Sequence, residues 1–229
     1  MRARWWTCGS GYPRVHEDGF IGRIEWAVAG RALPGQDVSG DRCVVLDTGT
    51  GSALFAVLDG LGHGSAAAAA VDRAARILGE NSAEPLDVLM VLCHRAMSDT
   101  RGAAVTLALF GAQEAQWLGV GNVDSQVVTA GPTGPQVNAT VLQSGGIVGY
   151  RLPPNLQPQT VPVRPGDLLL MSTDGVVVEP DASIDLAAST ADIARELVDR
   201  HAKDTDDALV LAARARGVAH DAASGHEAS

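Results

Sequence analysis

Lysine is almost missing from this 229-residue chain: Lys203 is the only one, and every other basic residue is arginine. That choice, with abundant Ala, Gly and Val, is the mark of a GC-rich coding bias and points to a bacterial source. Basic charge is short altogether, with 17 Lys+Arg against 27 Asp+Glu and a formal net charge of −10. So acidic a surface repels phosphate backbones and anionic lipid, which argues against general nucleic-acid or membrane binding. Cysteine is scarce: Cys8, Cys43 and Cys93 form no CxxC pair and are odd in number. A disulfide framework and a zinc ribbon are thereby disfavoured, and a reducing cytoplasm fits. Long apolar runs are also lacking. The longest, Ser65 to Val71, is mostly alanine and too short to cross a bilayer. After Arg2 and Arg4 the apolar stretch is only Trp5-Trp6, which is no signal-peptide core. The expectation is a soluble, cytoplasmic protein without internal repeats.

What is present is enough for a core. Hydrophobic residues make up 46% of the chain, and the length fits one domain or at most two small ones. Residues 1–20 show no period and read as an N-terminal arm. Residues 21–215 read as the folded domain, and residues 216–229 as a disordered tail. Within the domain, Ile24, Trp26 and Val28 alternate as in a strand. Arg42–Leu46 and Ala53–Leu58 form a hairpin around Thr48-Gly49-Thr50-Gly51. Helices are predicted from Ser65 to Leu78, from Pro85 to Met97, and from Ala191 to His201 with Thr190 as cap. Strand patterns follow Gly102, and Asp167–Met171 and Leu209–Leu211 read as fully buried strands. Locally paired strands with segregated helices indicate an α+β fold of antiparallel sheets.

Carboxylates stand where these strands end. Asp41 lies in Ser39-Gly40-Asp41, Asp59 in Leu58-Asp59-Gly60, and Asp174 in Thr173-Asp174-Gly175. Asp206 and Asp207 precede Leu209-Val210-Leu211. A carboxylate leaving a buried strand is costly unless it is solvated, hydrogen-bonded or bound to a cation. Each alone reads more readily as an Asx turn, and only the combination in order outweighs that. Converging, they would gather about four negative charges, which hard divalent cations such as Mg²⁺ or Mn²⁺ would balance.

Taken in order, Gly40-Asp41, Asp59-Gly60-Leu61-Gly62-His63-Gly64 before an Ala-rich helix, Ser172-Thr173-Asp174-Gly175 and Asp206-Asp207 resemble the metal-dependent PPM protein phosphatases. The likeness is to their bacterial SpoIIE-like branch, over about residues 22–214. Glu25-Trp26-Ala27-Val28-Ala29-Gly30 through Leu33-Pro34-Gly35 to Ser39-Gly40-Asp41-Arg42 resembles the stressosome feedback phosphatases called RsbX. The resemblance implies a β-sandwich of two antiparallel sheets flanked by helices, with two Mn²⁺ or Mg²⁺ ions at one end. It implies that Asp59 bridges both metals, the Gly60 carbonyl binds one, and Asp174 and Asp206 complete the pair. Asp59 and Asp174 are the expected catalytic centre, with Asp41 behind them or holding metal-bound water. Asp207 is the poorer ligand candidate. The substrate implied is a phosphoserine or phosphothreonine protein, such as a phosphorylated STAS-domain regulator of a partner-switching stress pathway.

Some positions depart from that pattern. Leu209 stands where many members carry a threonine. His63 reads either as a general acid or as a solvated loop histidine. Arg42 is the arginine nearest the site in sequence, although a surface strand is its commoner setting, and no residue is assigned to grip phosphate. Cys43 and Cys93 read as inert buried thiols. These departures motivate an alternative, a catalytically silent pseudophosphatase that serves as a binding module. An ATP-binding kinase of the GHKL type is disfavoured, because Leu61 interrupts the required D-x-G-x-G box.

Overall fold

A computed structural model of the chain describes residues 5–8, 14–178 and 184–217. The unbroken apolar runs decide its architecture. In the strand β5 (Ala53–Gly60), Ala53, Phe55 and Val57 join one hydrophobic cluster while Leu54, Ala56 and Leu58 join another. Successive side chains point to opposite faces, so a strand apolar at every position must be covered on both. β4 (Asp41–Asp47), β12 (Leu168–Ser172) and β13 (Ala208–Ala215) are buried in the same two-sided way.

The first sheet runs β1 (Trp5–Cys8), β4, β5, β6 (Ala103–Phe110) and β7 (Glu114–Val120), with β10 (Gln143–Ser144) and β11 (Gln159–Pro162) both on β7. The second runs β2 (Arg14–Ile21), β3 (Ile24–Arg31), β13, β12, β8 (Asp124–Gly131) and β9 (Gly134–Thr140). Among the described residues every pairing of these strands is antiparallel except the two-residue contact of β10 with β7. The sheets face each other through Trp26, Phe55, Val57, Trp117, Met171 and Leu211.

Helices close both outer faces. α1 (Ser65–Glu80) and α2 (Leu86–Ala96) set Val71, Leu78, Leu89 and Met90 against Leu54, Leu58 and Leu107. α3 (Thr190–His201) sets Ile193, Leu197 and Val198 against Leu170 and Val210. The fold is thus the α+β arrangement of antiparallel sheets expected from the strand and helix order, in the two-sheet sandwich that the resemblance implies. No helix among the described residues is long and apolar enough to cross a membrane.

Three local readings need correction. The stretch read as an aperiodic arm contributes β1, paired with β4, and β2, paired with β3. β2 alternates between exposed and sheltered positions, but its residue types do not follow: Glu17 is sheltered and Phe20 exposed. The cap of α3 is Ser189, whose hydroxyl accepts the Asp192 N–H, while Thr190 is the first helical residue. Arg42 is not a surface residue. Its side chain is 1% exposed and pairs with Asp72 of α1 at 2.8 Å, so it ties sheet to helix. The tail beyond residue 217 lies outside the described residues.

Candidate metal centre

Register brings the carboxylates to one end of the sandwich. Asp41 opens β4 directly opposite Asp59 near the close of β5. On the other sheet, Ser172 closes β12 opposite Val210 of β13. The turn carrying Asp174 and the turn carrying Asp206 and Asp207 therefore leave the sheet together.

Small residues let these ends approach. A Cβ added to Gly60 would lie 2.8 Å from the Ala67 carbonyl oxygen, and one added to Gly40 would lie 2.8 Å from the Ala67 Cβ. The alanine-rich start of α1 thus packs on the backbone of both loops. The Asp174 turn is clasped from outside, as Lys203 donates its Nζ to the Asp174 carbonyl at 2.6 Å and its N–H to the Gly175 carbonyl at 2.8 Å.

Each acidic side chain has its own anchor. Asp41 is 3% exposed, and its Oδ2 accepts the Thr173 hydroxyl at 2.7 Å. The same hydroxyl accepts the Leu209 N–H at 3.0 Å. A hydroxyl therefore reaches the Leu209 backbone from Thr173, across the strand pair, although position 209 has none. Asp174 is exposed, and its Oδ2 accepts Asn122 Nδ2 at 2.5 Å. Asp206 is half-buried, with Oδ1 accepting the Asp207 N–H at 2.9 Å. Asp207 spends both oxygens on backbone, Oδ1 on the Leu33 N–H at 2.7 Å and Oδ2 on the Gly40 N–H at 2.8 Å. It is a clasp that fixes the loop leading to Asp41. Thr173, Asn122 and Asp207 in this role were not legible in sequence, because their partners lie on other strands.

The electrostatics follow from crowding. Burial pushes Asp41 well above the usual carboxylate range, and the neighbouring Asp59, Asp207 and Asp206 push the same way against the Thr173 hydrogen bond. Asp59 rises from 3.8 to about 7, first by burial and then by the charges of Asp174, Asp206 and Asp207. Nothing positive offsets that rise.

A buried carboxylate group lacking counter-charge suits a hard cation, which is the chemistry of this donor set. Among the described residues, however, no three His, Cys, Asp or Glu side chains already stand close enough to hold a metal ion. The anchors above account for that spacing: Asp41 is drawn to Thr173, Asp174 to Asn122 and Asp207 to backbone N–H groups. The donors fit divalent ions, with the Asp174 and Asp206 side chains the ones that must exchange their present partners for a cation.

The remaining residues singled out in the sequence have these settings. His63 is exposed on the loop after Gly62. Cys43 and Cys93 are buried free thiols, and burial pushes Cys93 up to about 12, so neither is a nucleophile. Asp47 forms an Asx turn with the Gly49 N–H at the far end of β4, and Asp124 accepts Gln143 Nε2.

Residues 49–223 match the family model of stage II sporulation protein E, SpoIIE. No curated protein matches the chain. Solved structures do. A chain from work on the bacterial stressosome, described as a modular system adapted to control secondary messenger signalling, is 29% identical with a TM-score of 0.73, covering 83% of this chain and 99% of that one. RsbX in complex with magnesium is 20% identical with a TM-score of 0.74, covering 87% and 98%. The catalytic domain of the serine/threonine phosphatase PstP in complex with two manganese ions is 15% identical with a TM-score of 0.61, covering 85% and 99%.

Proposed function

The chain belongs to the SpoIIE family of PPM-type phosphatase domains, and from that premise we propose that it hydrolyses phosphoserine and phosphothreonine on a protein substrate with two Mn²⁺ or Mg²⁺ ions. The observation that carries the reading is the convergence of Asp41, Asp59, Asp174 and Asp206 at one end of the sandwich, with Asp59 raised to about 7. Asp59 and the Gly60 carbonyl would hold the ions together with Asp174 and Asp206, and Asp41 would support Asp59 from behind. Bound there, two divalent ions supply an activated water and a clamp on the phosphoryl oxygens.

The chain's own residues supply position. Thr173 fixes Asp41, Asp207 fixes the Gly40 backbone, and Lys203 fixes the carbonyl of the Asp174 turn. Asn122 holds Asp174 as a hydrogen-bond acceptor, and an acceptor is what a cation ligand must be. These bonds fix the loops from which the acidic side chains project, so the reorganisation left for metal binding is confined to the Asp174 and Asp206 side chains.

Likeness to a stressosome chain and to RsbX favours a phosphorylated STAS-domain regulator as the substrate. With Mn²⁺ present, phosphate release is expected from such a phosphoprotein and from phosphoserine peptides, and to be at least about a hundredfold slower from phosphotyrosine peptides. Equal release from both would sink the serine/threonine assignment. The alternative is the silent binding module that the departure at Leu209 motivates. It predicts binding to the same phosphoprotein with no release from any peptide.

A further inference from the structure

Basic groups bordering the site are nearly all engaged. Arg31 donates to Asp204 and to the carbonyls of Ala202 and Lys203. Arg42 is buried against Asp72, Arg73 pairs with Asp99, and Lys203 holds the Asp174 carbonyl. Arg101 is different. It is exposed, and none of the ion pairs among the described residues includes it. Its Nη1 nevertheless lies against the acidic loop, 2.9 Å from where a Cβ on Gly62 would stand.

That placement is built rather than incidental. Gly102 has φ +80°, and a Cβ there would lie 2.5 Å from the Val148 carbonyl oxygen, so the turn admits only glycine. Thr100 braces the turn by donating to the Met97 carbonyl and accepting the Gly102 N–H. The Gly102 carbonyl then accepts the Leu61 N–H at 3.0 Å, which locks the Arg101 turn to the Asp59-Gly60-Leu61-Gly62 loop. From Gly62 the chain of contacts runs to Gly40, whose N–H is held by Asp207. No cation lowers Asp59 or Asp41, so Arg101 is not spent on either of them. Its guanidinium borders the loop and is left for a group arriving from solvent.

We propose that Arg101 is the substrate-binding residue that grips the phosphoryl oxygens; this rests on the phosphatase reading above. A planar guanidinium with a free fork pairs two oxygens of a phosphate dianion, which a lysine ammonium does not reproduce. In a molecule this acidic, it also supplies local attraction for an anion that the rest of the surface repels.

The test uses the full chain loaded with Mn²⁺, para-nitrophenyl phosphate as substrate and inorganic phosphate as the binding probe. Arg101→Ala should raise KM and the phosphate inhibition constant by the same factor, about tenfold or more, with the melting temperature unchanged. Arg101→Lys should recover only part of the loss, and Arg195→Ala, a charge control on α3, should change neither. An Arg101→Ala enzyme with unaltered KM and phosphate inhibition would overturn the proposal while leaving the phosphatase reading intact. Should the wild type show no turnover, calorimetric phosphate binding decides. Binding lost in Arg101→Ala supports the grip and counts against the phosphatase reading. Binding that is absent or independent of Arg101 overturns the grip.

Discussion

Asp59→Asn is expected to lose at least about a hundredfold in turnover and yet to melt higher than the wild type when metal is removed. The proposed chemistry needs a carboxylate at Asp59, which the metal-free fold resists charging, as it resists charging Asp41. The rise of Asp59 from 3.8 to about 7 means that the folded state resists charging it. That penalty is absent below pH 4, grows as pH climbs towards 7, and stays in full above. The wild type in EDTA should therefore lose stability between pH 5 and pH 8. The variant should lose less, keeping only the slope that Asp41 contributes in the same direction. The difference between 3.8 and about 7 corresponds to roughly 4 kcal/mol at about 1.4 kcal/mol per pH unit. Neighbouring carboxylates relax when one charge is removed, so a gain of about 1–3 kcal/mol is expected, or roughly 3–10 °C in Tm for a chain of this size. Melting curves in EDTA at both pH values check this. A variant that melts below the wild type at pH 8 would mean that Asp59 is a structural residue.

Gly175→Ala is the second large effect, and it acts through contact alone. A Cβ there would lie 1.8 Å from the Asp207 carbonyl oxygen and 2.9 Å from its carbon. Both are backbone atoms, with no flexible end to swing aside. The Asp174 turn must then part from the start of β13, which separates Asp174 from Asp206. A loss of about 3 kcal/mol or more is expected, as for overpacked interiors, with Tm lower by roughly 6–12 °C and metal-dependent activity gone. Gly145→Ala is the matched control, since a Cβ there meets nothing within 4 Å. A Gly175→Ala protein as stable and active as the control would remove the close approach from the account.

The inner strands were legible because they are buried on two sides, while their stacking into a sandwich came from the resemblance. Residues such as Ala53–Leu58 and Leu209–Leu211 have no polar face to lose, and only a covered sheet accommodates them. β2 was illegible because an edge strand owes its place to β3 and leaves its outer face to solvent, where residue type is free. For the site, the order of Asp41, Asp59, Asp174 and Asp206 was readable, since a carboxylate at the end of an apolar strand is conspicuous. The anchors were not. Thr173 reaches Asp41 over 132 positions of sequence, and Asn122 reaches Asp174 over 52. Arg42 misled because its neighbours in sequence are strand residues, whereas the partner that buries it, Asp72, sits on α1.

Titration of the metal-free chain with Mn²⁺ by calorimetry at pH 7.5, beside Asp59→Asn, tests the central claim most directly. The account predicts two ions bound per chain, with protons released as Asp59 and Asp41 give up their raised affinity for them, and the heat largely lost in the variant. A wild type that takes up no ion at millimolar Mn²⁺, or one whose binding is unchanged by Asp59→Asn, would contradict it.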